Sequence, residues 1–284
     1  MYLHQLIQII AYHGPRCFVE SMELKRIVVP LDGSKTAEEA LRPAAEMAGG
    51  KGSLLLLRVC DLTATAMEDF GQTYVALLDE LQQEATRYLK SVRSSLEVEC
   101  EVRTEVVVGH PVDQLLSFVE QFEADLVLMT SHGKSGFDRW LLGSVTENFA
   151  RRSTCPVLVL RSGHQFEWPL GRKVLVPLDG SQLAEGVLPL ADEFSRRAGG
   201  KVMLLRSYSL TERPTYEYAG HDLYPHGADV AGRKAGLEVA TEYLQEAAGR
   251  CSQPTETRVS TAYAPEAILA TAREEQVDMV AMTS

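Results

Sequence analysis

The chain has 284 residues, 45% of them hydrophobic and 24% charged, with a formal net charge of −11. A length and composition of this kind describe about two ordinary globular domains and exclude a disordered polymer. The acidic balance excludes a general binder of nucleic acid or anionic membrane, which needs clustered Lys and Arg, and no apolar run reaches the length of a helical membrane span.

Five cysteines (Cys17, Cys60, Cys100, Cys155, Cys251) show no Cys-x-x-Cys spacing. Reduced thiols, and with them a cytoplasmic protein, are the expectation. The stretch Leu3–Ala11 is interrupted by Gln5 and Gln8 and has His4 where a secretory signal needs Lys or Arg. Residues 1–21 therefore read as an upstream extension, with translation starting naturally at Met22.

From there the elements follow in order. Arg26–Leu31 is a short apolar strand ending in the turn-forming group Asp32-Gly33-Ser34. Ser34 is placed to cap a helix whose apolar positions run from Ala37 to Ala48, closed by Gly49-Gly50. Leu54–Val59 is an unbroken apolar strand, as in a parallel sheet buried on both faces. A helix is expected over 73–96, a strand over Glu101–Val108 closing on Gly109-His110-Pro111, and a helix over Val112–Phe122. Strand Asp125–Thr130, helix Gly143–Arg152 and strand Pro156–Arg161 complete the series. Such alternation gives an open parallel sheet with helices on both faces and right-handed crossovers. Ligands then bind outside the carboxyl ends of the strands.

The scheme is repeated. Val29-Pro-Leu-Asp-Gly-Ser34 recurs as Val176–Ser181, and Asp125-Leu-Val-Leu-Met-Thr-Ser131 returns as Asp278-Met-Val-Ala-Met-Thr-Ser284. The second copy predicts strand Lys173–Leu178, helix Leu183–Arg197 with a Gly199-Gly200 cap, and strand Val202–Ser207. Helix Gly236–Ala248, strand Thr255–Ala262, helix Pro265–Glu275 and strand Asp278–Thr283 follow. The expected boundaries are 22–162 for the first domain, 163–171 for a linker and 172–284 for the second. The second copy has no counterpart of the last helix and strand, so its sheet is expected to hold four strands. This reads as a fragment of a protein about thirty residues longer. It would self-associate through an unpartnered Val157–Leu160 edge.

The chemically suggestive segment is Met129-Thr-Ser-His-Gly133-Lys-Ser-Gly136, leading to Gly143-Ser144-Val145. Gly133 permits close backbone approach just past a strand end. Gly143-Ser144 opens a helix whose free N–H groups and dipole favour an anion, with Ser144 as candidate cap and hydroxyl donor. Read alone, these residues suit turn glycines and a plain helix start better than a phosphate site.

Taken together, the Val-Pro-Leu-Asp-Gly-Ser turn, the His132-Gly133 to Gly143-Ser144 spacing and Cys155-Pro-Val-Leu-Val-Leu160 closely resemble the universal stress protein family in its tandem-domain form. The resemblance implies two tandem Rossmann-like domains of the adenine nucleotide alpha hydrolase type. It implies an ATP-binding regulatory stress-response protein, with any Mg2+ held by the phosphates. ATP-binding members carry Gly-x2-Gly-x9-Gly-(Ser/Thr); here the first glycine is Thr130, while Gly133, Gly143 and Ser144 match. By the same resemblance Pro30, Leu31 and Asp32 line the adenosine, Val59 and Met129 pack on adenine, and Thr130, Gly133, Gly143, Ser144 and Val145 surround the phosphates. Asp32 also suits a helix-entry turn and Met129 an ordinary core. Domains of the family pair through their final strands, as an intramolecular pseudo-dimer or a homodimer.

Two other readings compete. Part of the family binds no nucleotide and acts as an interaction module; the second domain leans that way, with Tyr263-Ala264-Pro265 in place of Gly109-His110-Pro111. Related hydrolases carry Ser-Gly-Gly-x-Asp-Ser after the first strand, whereas Leu31-Asp32-Gly33-Ser34 lacks the paired glycines. No general base or Walker-type lysine is evident, so at most slow ATP hydrolysis is expected. Lys134, Arg139, Arg151 and Arg152 suit phosphate counter-charges or a solvated face. The His221, Asp222 and His226 loop lacks a third ligand at fixed spacing, so no metal site is expected.

Overall fold

Runs of apolar residues alternating with amphipathic helices build two parallel sheets. The computed structural model describes residues 7–11, 24–61, 65–131, 143–163, 169–208 and 228–283, and the chain divides into two units, essentially Leu3–Pro169 and Leu170–Met282.

In unit 1 the elements are β1 (Ile7–Ala11), β2 (Arg26–Pro30), α1 (Lys35–Glu38), α2 (Leu41–Ala48), β3 (Ser53–Cys60), α3 (Thr65–Ser95), β4 (Glu101–Val108), α4 (Pro111–Gln121), β5 (Leu126–Ser131), α5 (Ser144–Arg152) and β6 (Val157–Arg161). The strand order is β4-β3-β2-β5-β6-β1. All pairs among β2 to β6 are parallel. One face of the sheet, through Val28, Leu55, Leu57, Val127, Met129, Val157 and Val159, packs with α4 and α5 around Leu115 and Phe149. The alternate residues Ile27, Val29, Leu54, Leu56, Leu126, Leu128, Leu158 and Leu160 are fully buried on the other face, where α2 and α3 lie. Two buried faces explain why these strands are continuous apolar runs.

Unit 2 repeats the plan with β7 (Lys173–Pro177), α6 (Gln182–Glu185), α7 (Leu188–Ala198), β8 (Lys201–Ser207), α8 (Ala228–Ala248), β9 (Thr255–Ser260), α9 (Ala264–Glu274) and β10 (Met279–Thr283). Its parallel sheet has the order β10-β7-β8-β9, the four strands that the sequence implies.

Both sheets are pinned at the amino ends of their first strands. The Asp125 carboxylate accepts from the backbone N–H of Lys25 at 3.1 Å and of Arg26 at 2.8 Å. Asp278 accepts from Arg172 and Lys173 N–H, each at 2.9 Å. A carboxylate satisfying two strand-start amides is a charge-assisted contact and holds neighbouring strands in one register.

Three expectations need correction. The helix expected from Ser34 to Ala48 is two helices, because Glu39 and Ala40 form a turn between them; the second copy breaks likewise between α6 and α7. The β6 edge, expected to be open, is paired: β1 runs antiparallel to it with Gln8↔Val159, Ile9↔Leu158 and Ile10↔Val157 in register. The amino-terminal stretch, read as lying outside the domain, thus contributes a strand to it. Deleting residues 2–21 is expected to uncover β6 and convert the protein to a concentration-dependent self-associating species. Sedimentation velocity checks this, and unchanged behaviour of the deletion variant speaks against the capping role.

The four described cysteines, Cys60, Cys100, Cys155 and Cys251, are free thiols. Among the described residues no helix is long and apolar enough to cross a membrane.

Candidate functional site

At the carboxyl end of the unit 1 sheet, β2 turns to β3 on one side and β5 lies on the other, which is the topological switch point where open α/β sheets take ligands. A cavity of about 200 Å³ opens there. Whole-ligand pockets are commonly ~300–1,000 Å³, so the space is smaller than most of them.

Local chemistry shapes its first lip. Asp32 Oδ1 accepts from the Ser34 N–H at 2.9 Å and from the Ser34 hydroxyl at 2.5 Å. Ser34 Oγ in turn accepts from the Ala37 N–H at 3.1 Å and caps α1. Asp32 is therefore both a turn residue and a wall of the cavity; the two readings of it are not exclusive. From β3 come Leu57, Arg58 and Val59, from β5 Met129 and Thr130, from α4 Pro111 and Leu115, and from α5 Val145 and Thr146. Met129 and Thr130 are 7% and 8% exposed, so Met129 serves the core and presents an edge to the cavity.

Seven of the ten residues named from the sequence line this space: Pro30, Leu31, Asp32, Val59, Met129, Thr130 and Val145. Gly143 and Ser144 lie next to it, at the start of α5, without lining it. The cap of α5 is Gly143 (φ −59°, ψ 148°) rather than Ser144, and among the described residues no side-chain cap bond is made there. Those N–H groups are thus open to an anion. Gly133, with His132, Lys134, Gly136 and Arg139, lies outside the described residues. Arg151 pairs with Glu147 at 3.1 Å and Arg152 with Asp113 at 2.8 Å. Both sit in the last turn of α5, about 11 Å from its amino end at 1.5 Å per residue, and so belong to a solvated face.

Sequence reasoning passed over a group behind the Asp32 turn. Arg58 donates to the Leu31 carbonyl at 3.2 Å. Tyr88 on α3 donates to Glu38 Oε1 at 3.3 Å. Burial and then the Glu38 charge push the Tyr88 phenol well above its ordinary range, while Arg58 draws it back in part; the hydroxyl stays a neutral donor.

Unit 2 carries the same turn. Asp179 Oδ1 accepts from Ser181 N–H at 2.8 Å and its hydroxyl at 2.6 Å, which holds the Asp179 carboxyl below its usual range. Arg206 donates to the Leu178 carbonyl at 3.3 Å and stacks 5.4 Å from the centre of the Tyr243 ring. Burial, then Glu185, raises the Tyr243 phenol to about 12. Among the described residues no group of three His, Cys, Asp or Glu gathers as a metal site, and the His221, Asp222 and His226 loop lies outside them.

Known proteins share this architecture. The chain is 33% identical over 141 residues to the universal stress protein MJ0531 of Methanocaldococcus jannaschii, covering 48% of this chain and 82% of that one. It is 31% identical over 157 residues to MJ0577 of the same organism, covering 50% and 97%. A universal stress protein structure from Archaeoglobus fulgidus superposes over 91% of this chain and 86% of that one, with a TM-score of 0.64 at 21% identity. This last likeness concerns the fold alone. The universal stress protein family profile matches residues 23–161 and again 171–284, which spans both sheets and both Asp-Gly-Ser turns, so the chain belongs to the universal stress protein family.

Proposed function

We propose that this protein is an adenine-nucleotide-binding regulator of the stress-response type, holding ATP in unit 1. The observation that carries the reading is the cavity at the switch point, walled by Asp32, Val59 and Met129 and adjoining an α5 amino terminus that no described side chain caps. Val59 and Met129 offer an apolar slot for a purine, and Asp32 an acceptor for a ribose hydroxyl. The first-turn amides behind Gly143, with Val145 beside them, would hold phosphate. Gly133 has a place in the same proposal through its position in the sequence.

These residues bind and orient; none is placed as a base toward an attacking water. ATP in this reading acts as a ligand that stabilises one conformation or partner surface, with Mg2+ carried by its phosphates. A cytoplasmic location belongs to the same proposal, and so does a homodimer, formed through a surface other than the β6 edge that β1 covers.

Gly143→Val tests it. A branched side chain at the cap would crowd the anion approach, and the variant is expected to lose ATP binding by at least about a hundredfold while adenosine binding falls far less. Isothermal calorimetry of both ligands against the wild type decides, with mass spectrometry for nucleotide that survives purification. Equal ATP affinity in the two proteins would sink the assignment.

A further inference from the structure

The Arg-Tyr-Glu set behind the first turn occurs twice in sequence, and its arginine-to-turn contact twice in space. Asp32-Gly33-Ser34-Lys-Thr-Ala-Glu38 matches Asp179-Gly180-Ser181-Gln-Leu-Ala-Glu185, and Ala85-Thr-Arg-Tyr88-Leu matches Ala240-Thr-Glu-Tyr243-Leu. Arg58 and Arg206 each stand one residue beyond the strand position facing the proline of the turn, Leu57 opposite Pro30 and Leu205 opposite Pro177.

Each guanidinium covers the open face of the turn glycine. Gly33 (φ +83°) and Gly180 (φ +87°) are left-handed. A Cβ built on Gly33 would meet Arg58 Nη1 and Nη2 at 3.5 Å, and one on Gly180 would meet Arg206 Nη1 at 2.9 Å. The same guanidinium bonds the carbonyl two residues earlier in each turn.

We propose that Arg58 is a positioning residue, which holds the Leu31–Ser34 turn from behind and thereby fixes where Asp32 stands in the cavity. The claim rests on the nucleotide reading above for its functional part. Arg58 lies on β3 between Leu57 and Val59, whose side chains join the α4–α5 core; its own therefore points to the α3 side, toward Tyr88, while the residue also borders the cavity. It acts through the turn and not as a charge on phosphate.

Arg58→Met, Arg58→Lys and Arg206→Met test it, with hydrogen exchange of the nucleotide-free protein and calorimetry of adenosine, AMP and ATP. Arg58→Met is expected to speed exchange of the Gly33 and Ser34 amides about tenfold, and Arg206→Met to do so at Gly180 and Ser181. Arg58→Lys, keeping a donor, recovers part of the protection. Arg58→Met should weaken adenosine, AMP and ATP by one common factor, about tenfold. A loss that grows with the number of phosphates, or unchanged exchange at the turn, overturns the proposal. If the wild type binds neither adenosine nor ATP, the nucleotide reading fails, and the clamp is then decided by the exchange data alone.

Discussion

Phe149→Ala is expected to destabilise unit 1 by about 3–5 kcal/mol, the usual cost of deleting a fully enclosed ring. Phe149 is 0% exposed on α5 and belongs to the cluster that joins α4, α5 and the sheet. Its cluster joins strand side chains fixed by ladders to Leu115 and Val119 of α4, so the space left behind collapses poorly. Phe149→Leu, which keeps most of the volume, should cost distinctly less. Because Val145 and Thr146, one turn earlier, wall the cavity, the same change should weaken ligand binding before the fold is lost. Urea denaturation with unchanged slope and a lowered midpoint would support the packing account. A loss below about 1 kcal/mol would contradict the burial on which it rests.

The second large effect is expected in unit 2, from Gly200→Val. Gly200 lies between the left-handed cap Gly199 and β8, and its N–H donates to the Ser195 carbonyl at 2.8 Å. A Cβ at Gly200 would stand 2.3 Å from the Arg172 carbonyl oxygen, itself the acceptor for Lys201 N–H at 2.9 Å. The obstacle is backbone and cannot rotate away. The β7–β8 ladder begins at this point, with Lys173 opposite Lys201, so the clash strikes the register of the sheet. A loss of about 4 kcal/mol or more is expected. Gly199→Ala is the contrast, since nothing lies within 4 Å of the new atom. It should cost only the left-handed backbone term, about 1–2 kcal/mol. Calorimetric unfolding of both variants ranks them; a reversed order would refute the steric argument.

The strands were legible because burial on both faces leaves an unbroken apolar signature, and β4 begins and ends where its pattern does. The caps at Ser34 and Ser181 were legible too, since a short hydroxyl before an alanine-rich face has few other uses. The break after Glu38 was not. Glu39 (φ −60°, ψ −22°) and Ala40 (φ −74°, ψ −19°) stay close to helical angles, so the apolar period runs across the turn without a visible gap. β1 escaped notice because five residues of strand draw their stability from a partner far along the chain, here β6. Asp32 and Thr130 followed from strand ends, and Met129 from the family resemblance. Arg58, Tyr88 and Glu38 did not, as a charged residue near a strand end reads as solvated. Comparing the two copies beyond their shared hexapeptide would have exposed all three.

The carboxylates of Asp125 and Asp278 have a consequence for the opposite end of each sheet. With Val28 opposite Val127, two further steps bring Pro30 level with Met129, so the two lips of the cavity are aligned by a fastening about 13 Å away at 3.3 Å per residue. Asp125 acts as a gauge block: it sets an aperture without approaching it. The motif that discloses the duplication, opening on Asp125 in one copy and on Asp278 in the other, preserves that dimension together with the Met-Thr-Ser that closes it. Both halves therefore keep one blueprint of spacing, set from the end of the sheet remote from Pro30 and Pro177.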